Sequence, residues 1–192
     1  DGTPLTGEIQ VNLTTFNHQT TPTVATDDAG NFLVTWSSFG QDGDGFGIYV
    51  RRFAADGTPL SGEIQVNVAV VSDQVVPTIA LDDAGQFVIT WSSFGQDGNG
   101  FGVYARKFAA DGTPLTGEIQ VNVTTFSFQQ SSTIAMDGAG RFVITWSSFG
   151  QDGDGFGVYA RRFAADGTPL SGEIPVNVTT TNDQLYSRVA LD

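Results

Sequence analysis

The sequence predicts an all-β protein made of repeated four-stranded antiparallel sheets resembling β-propeller blades. Three observations carry that expectation. The pentapeptide Asp-Gly-Thr-Pro-Leu begins at Asp1, Asp56, Asp111 and Asp166, a period of 55 residues, and self-similarity at a fixed period marks repeat architectures. Inside each unit apolar residues alternate with period two, and no stretch has a helical period. Asp, Gly and Pro punctuate the units where hairpin turns are needed.

Four strands per unit follow, named a to d. Strand a covers residues 23–26. Strand b, residues 31–37, reads NFLVTWS, with Phe32, Val34 and Trp36 on one face and Leu33 and Thr35 on the other. A strand apolar on both faces is covered on both faces. Strands c and d cover residues 48–54 and 63–68. The a–b and c–d connections are short and carry turn chemistry; the b–c connection, SSFGQDGDGFG, is long. Doubly buried inner strands with a polar outer one describe a propeller blade. The alternative is an open stack of sheets forming a filament-like array, each unit covering only its neighbours.

The sequence repeats are 1–55, 56–110 and 111–165, with 166–192 a partial fourth, and the blades are offset to 22–68, 77–123 and 132–178. Residues 8–12 read as a leading strand d and residues 187–191 as a final strand a. Three and a half blades do not close a ring, so a longer array, or completion by other copies of the same repeat, is expected. Variation gathers in one window per unit, residues 14–21, 69–76 and 124–131, which reads as an edge loop.

Composition narrows the function. Charged residues are 15% of the 192, and 21 Asp and Glu against 8 Lys and Arg give a net charge of −13. That field opposes nucleic acid, which is bound through Lys and Arg at phosphates, and anionic membrane surfaces. Cysteine is absent, which removes disulfides, thiolate metal sites and cysteine catalysis. No charged-then-apolar leader and no apolar run near membrane-spanning length occurs, so membrane insertion is not expected. The start at Asp1 suggests a processed product or an internal piece of something longer.

The b–c loop is the chemically loaded segment. Asp42 and Asp44, Asp97 and Asn99, and Asp152 and Asp154 place two side-chain oxygens two residues apart on a glycine-rich backbone. Hard cations want oxygen ligands on a curved loop, so these six residues are candidate Ca²⁺ ligands; the bland alternative is that Asp-Gly pairs build turns. Phe39 and Phe46, Phe94 and Phe101, and Phe149 and Phe156 flank the loops and are candidates for stacking on sugar rings, or for covering a blade edge. Trp36, Trp91 and Trp146 belong to the core. The basic pairs Arg51/Arg52, Arg106/Lys107 and Arg161/Arg162 lie on strand c. One member of each pair shares a face with aromatic residues and needs a carboxylate or carbonyl partner, an ion pair being the favoured reading over anion binding.

No enzyme site assembles from what remains. His18 is the only histidine, and Asp73 and Phe128 replace it in the next units. The pairs Asp27/Asp28 and Asp82/Asp83 open the a–b turn, where Asp caps turns, and the third unit has Asp137-Gly138 there. Asn12, Asn122 and Asn177 fit the short N-x-T glycosylation pattern.

The core motif G-x-F-x-[VI]-T-W-S-S-x-G-Q-D-G-x-G-x-G-[VI]-Y-A-R-[RK]-F-x-A-D-G resembles the tandem repeats of very large secreted bacterial surface proteins, including cyanobacterial ones. Its loop is similar to a shortened form of the calcium loops of integrin-type propeller blades. The resemblance implies an extracellular or cell-surface location, a structural or adhesive role and a calcium-rich environment. Together these readings lead to the expectation of a non-enzymatic extracellular structural or adhesive module, stabilised by Ca²⁺ and part of a longer surface protein or fibre. A glycan-binding propeller is the alternative, and a polysaccharide hydrolase the remote one.

Overall fold

The structure, a computed structural model, describes residues 6–191; the first Asp-Gly-Thr-Pro-Leu copy and Asp192 lie outside the described residues. Three antiparallel sheets contain all the strands. The first holds β1 (Gln19–Thr26), β2 (Phe32–Phe39), β3 (Phe46–Phe53) and β4 (Ile64–Gln65) in that order. The second holds β5 (Gln74–Leu81), β6 (Phe87–Phe94), β7 (Phe101–Phe108) and β8 (Ile119–Gln120). The third repeats the order with β9 (Gln129–Met136), β10 (Phe142–Phe149), β11 (Phe156–Phe163) and β12 (Ile174–Pro175). No helix occurs among the described residues, and so none is long and apolar enough to cross a membrane.

Aromatic cross-strand pairs fix the register. Phe32 faces Phe53, Trp36 faces Tyr49 and Phe39 faces Phe46, and the two later sheets repeat all three pairings. The Phe32–Phe53 rings stack 5.0 Å apart and the Trp36–Tyr49 rings 6.4 Å apart. Such pairs contribute roughly 0.5–1.5 kcal/mol beyond the area they bury.

The second sheet buries both faces, one against each neighbouring sheet. Leu33, Ile48, Val50 and Val66 of the first sheet interlock with Ile79, Phe87, Ile89, Trp91, Tyr104 and Phe108 of the second. Val88, Val103, Ala105 and Val121 of the second meet Met136, Phe142, Ile144, Trp146, Tyr159 and Phe163 of the third. Burying each large side chain contributes about 1.5–3 kcal/mol, so the interfaces between sheets are the hydrophobic core. The first strands β1, β5 and β9 also pack on one another. The sheets therefore fan out from shared inner strands as propeller blades do, and the open-stack alternative is set aside.

Three strand expectations change. The fourth strand is two residues long instead of six, because the side chain of Asn67 takes over the ladder: its Oδ1 accepts the Ile48 N–H at 2.8 Å. Residues 8–12 and 187–191 are not strands. They nevertheless sit in the places of a preceding fourth strand and a following first strand. Arg51 donates to the Val11 carbonyl at 2.7 Å as Arg106 does to Val66 at 2.9 Å. Thr133 Oγ1 donates to the Ser187 carbonyl as Thr78 does to Ser132, both at 3.3 Å. With no b or c strand beside them among the described residues, these segments have packing partners but no ladder.

The a–b and c–d turns lie at one end of every sheet, and the b–c loops and the links to the next sheet at the other. At the turn end, Asp27 Oδ1 accepts the Asn31 N–H at 2.8 Å, and Asp82 and Asp137 do the same for Gln86 and Arg141. The turn-capping role read for these carboxylates is what the structure shows.

Candidate functional site

The loop end is organised around an asparagine repeated once per sheet. Asn122, 2% exposed, accepts the Val103 N–H at 2.8 Å, while its amide donates to Asp97 Oδ2 at 2.9 Å, the Thr124 carbonyl at 2.8 Å and Gln129 Oε1 at 3.4 Å. Asn67 and Asn177 make the same set of bonds in their sheets. One side chain thus ties strand c, the b–c loop and the next sheet's first strand together. The Asn122 amide is spent on this network, which is its role in place of the glycosylation that N-x-T would suggest.

A Glu repeated at the 55-residue period, Glu63, Glu118 and Glu173, supplies the second tie. Glu63 accepts the N–H groups of Leu13 and Thr14 at 2.6 and 3.1 Å, the Thr14 hydroxyl at 2.8 Å and the Gln41 amide at 2.7 Å. Glu173 does likewise with Val123, Thr124 and Gln151. Burial alone would raise these carboxyls, but the donors outweigh it and hold both below the ordinary glutamate value. The consequence for stability has a definite sign. A depressed carboxyl stabilises the fold above its unfolded pKa and loses that contribution as pH falls through its folded one. Melting temperature is therefore expected to drop on acidification below about pH 4.5, and Glu63→Gln with Glu173→Gln should flatten that acid limb. Identical acid limbs for variant and parent would refute the assignment.

Five of the six candidate calcium ligands accept hydrogen bonds through their side chains. Asp42 Oδ2 accepts the Asn67 amide at 2.7 Å and Asp44 Oδ2 the Ser72 N–H at 3.0 Å. In the second sheet Asp97 faces Asn122, and its Oδ1 accepts the Asn99 N–H at 3.4 Å. In the third Asp152 faces Asn177 and Asp154 the Asn182 N–H. A Ca²⁺ ion gathers six to eight oxygens; here Asp42 and Asp152 each have Oδ2 on an amide donor, while their Oδ1 atoms are buried without a hydrogen-bond partner. No cluster of three acidic or histidine side chains suited to a metal occurs among the described residues. The loop carboxylates hold the loops to the next link. Burial pushes the Asp42 carboxyl above its usual range, although the Asn67 amide favours its charged form. Tyr49 is pushed up to about 12, first by burial and then by the Asp42 and Glu63 charges.

The strand-c arginines are also corrected. Arg51, Arg106 and Arg161 pair with backbone carbonyls of the preceding link, and their guanidinium groups lie 5.1, 5.4 and 5.6 Å from the Phe53, Phe108 and Phe163 rings. Their partners are carbonyls and aromatic faces instead of carboxylates. A buried ion pair lies on the other face: Lys107 Nζ is 3.9 Å from Asp82 Oδ2.

The six candidate phenylalanines form three pairs in an edge-on arrangement. Phe39–Phe46, Phe94–Phe101 and Phe149–Phe156 have centroids 5.0, 5.1 and 5.0 Å apart. Phe39, Phe94 and Phe149 are 42%, 44% and 42% exposed, each braced by a partly buried partner at the loop end. Between the second and third sheets the pairs border a cleft of about 340 Å³, walled by Phe101, Phe128, Phe149, Phe156 and Gln130. Phe128 and Gln130 were not singled out as site residues from sequence. They lie inside the window that varies between units, and the signal for Phe128 is a break in the period. A second cleft, about 390 Å³ at the turn end between the first two sheets, is lined by Asp27, Asp28, Asp83 and Arg52 beside Phe32, Leu33 and Leu81.

No protein-family model and no curated protein matches this chain. Solved structures share its fold. The chain is similar to a thermostable family-43 glycoside hydrolase (TM-score 0.54, 12% identity, covering 83% of this chain and 54% of that one). It is similar to an α-L-arabinofuranosidase from Fusarium graminearum (TM-score 0.58, 12% identity, 81% and 49%). It is also similar to a protein of unknown function from Dyadobacter fermentans (TM-score 0.59, 12% identity, 80% and 40%). At this identity the likeness is one of fold, and the chain spans about half the length of these structures. It overturns the expectation of a structural or adhesive module: the first strands of successive sheets pack on one another, in an architecture also carried by proteins named as glycoside hydrolases.

Proposed function

We propose that this chain is a saccharide-binding propeller segment of a polysaccharide-processing protein, and that it meets its ligand at the loop end. One observation carries the reading: three exposed phenylalanines at repeat spacing, each held edge-on by a second ring. An isolated exposed aromatic ring is ordinary surface. Three rigid rings on one end of a fan, beside a cleft with four aromatic walls, offer flat apolar faces that the C–H face of a sugar ring can cover while its hydroxyls stay in water. The names of the structures that share the fold support an arabinose-bearing polysaccharide as the first ligand to try.

Catalysis by this chain alone has weaker support. Glycoside hydrolysis uses two carboxyl groups flanking the bond. Of the three carboxylates that line the turn-end cleft, Asp27 is committed to Asn31 and the Asp83 carboxylate lies over Gly138 of the next turn. The inner strands β1, β5 and β9 contain no Asp or Glu.

Affinity electrophoresis through gels containing arabinan or arabinoxylan tests the reading. The chain is expected to be retarded, and Phe39→Ala, Phe94→Ala and Phe149→Ala combined should weaken retention at least tenfold, about 1.4 kcal/mol, without a change in circular dichroism. Migration equal to that in plain gel would overturn it.

A further inference from the structure

We infer that the junction between the second and third sheets is the one strong sugar subsite of this face, and that Phe128 creates it; the inference rests on the saccharide reading above. The residue at this position of each link is His18, Asp73, Phe128 or Asp183. Where it is Asp, its carboxylate closes the junction. Asp73 Oδ1 accepts the Phe46 N–H at 3.0 Å, and Asp183 Oδ1 accepts that of Phe156 at 3.0 Å. Both carboxylates lie against the loop glycines Gly45 and Gly155. A charge is therefore fixed beside the braced phenylalanine at those junctions.

At Phe128 the carboxylate is replaced by a ring. It packs on Gly100 and lies 6.5 Å from the Phe101 centroid at an interplanar angle of 44°. The tilted Phe101–Phe128 wall faces Phe149 and Phe156 of the next sheet across the cleft, with Gln130 between them. No charged side chain lines this cleft, although the chain carries a net charge of −13. The Gln130 amide makes no side-chain hydrogen bond among the described residues. A neutral ligand with an apolar face and hydroxyl groups matches that lining, and an open sugar ring of a polysaccharide has both features. An anion or a cation would find no counter-charge there.

The repeat itself supplies the controls, since Asp is already the native residue at this position in two links. Titration calorimetry of the whole chain with linear arabino-oligosaccharides and xylo-oligosaccharides is expected to give one site per chain. Phe128→Asp should lower affinity at least tenfold with no loss of melting temperature. Asp73→Phe should add a second site at the first junction. A stoichiometry of three, or unchanged affinity in Phe128→Asp, would overturn the single-subsite inference while leaving saccharide binding in place. Failure of the parent chain to bind any of the sugars would overturn both. Phe128-dependent binding of a hydrophobic dye without sugar binding would show a bare apolar surface and overturn the inference as well.

Discussion

Replacing Asn122 with alanine is expected to destabilise the protein by about 3–5 kcal/mol, a fall of roughly 10 °C in melting temperature for a chain of this size. The magnitude follows from what is left behind. Asn122 satisfies the Val103 N–H, the Thr124 carbonyl, Asp97 Oδ2 and Gln129 Oε1. Each buried group that loses its partner costs about 1–3 kcal/mol, and Gln129 is fully buried. Water cannot repair the loss without entering the core between strand c and the next sheet. Asn122→Asp should be nearly as damaging, because it puts a second carboxylate against Asp97 and removes the amide donors. Asn177→Ala, in the more exposed last sheet, should cost less. Thermal melts of the three variants check the ranking, and a loss below about 1 kcal/mol for Asn122→Ala would refute the hub.

Much of the scaffold was legible in the sequence because it is written in side-chain pattern. Period-two alternation with both faces apolar placed β2, β6 and β10 inside, and Trp36, Trp91 and Trp146 in the core. The Asp residues at 27, 82 and 137 were legible as turn caps, since Asx capping acts within a few residues. The fourth strand was overestimated because its alternation continues past the point where the Asn67 side chain replaces the backbone in the ladder. The arginine partners were invisible for a different reason: a backbone carbonyl 40 residues away, as between Arg106 and Val66, has no residue-type signature. The loop carboxylates were ambiguous because Asp-Gly-Asp spacing fits both a cation loop and a set of N–H acceptors. The Asn67, Asn122 and Asn177 partners of the second role lie 25 residues away along the chain. Phe128 was hidden by the opposite effect, since a functional departure from a repeat looks like tolerated variation.

Asp82→Ala is expected to cost about 3–5 kcal/mol, far more than the same change at Asp137, although both residues cap the same turn. The difference lies in the second carboxylate oxygen. Asp137 Oδ2 accepts from Arg141 at 2.6 Å, and the Arg141 side chain is 65% exposed, so losing that pair strands nothing in the core. An exposed pair contributes about 0–1 kcal/mol, and the lost cap adds about 1 kcal/mol. Asp82 Oδ2 instead faces the Lys107 ammonium at 3.9 Å, with both side chains almost wholly buried. Removing the carboxylate leaves Lys107 with the Ala165 carbonyl, 2.7 Å away, and the exposed Asp166 charge to compensate a buried ammonium. The penalty is then for the stranded ammonium and not for the pair, a distinction that a double-mutant cycle resolves. Lys107→Met leaves the buried Asp82 carboxylate with only the Ala84 and Gln86 N–H groups on its other oxygen, so it too should cost about 3 kcal/mol or more. Asp82→Ala combined with Lys107→Met should be more stable than Asp82→Ala alone. If the double variant is instead the sum of the two singles, the ammonium is solvated in the folded state, and the junction between the second and third sheets is wetter than its packing indicates.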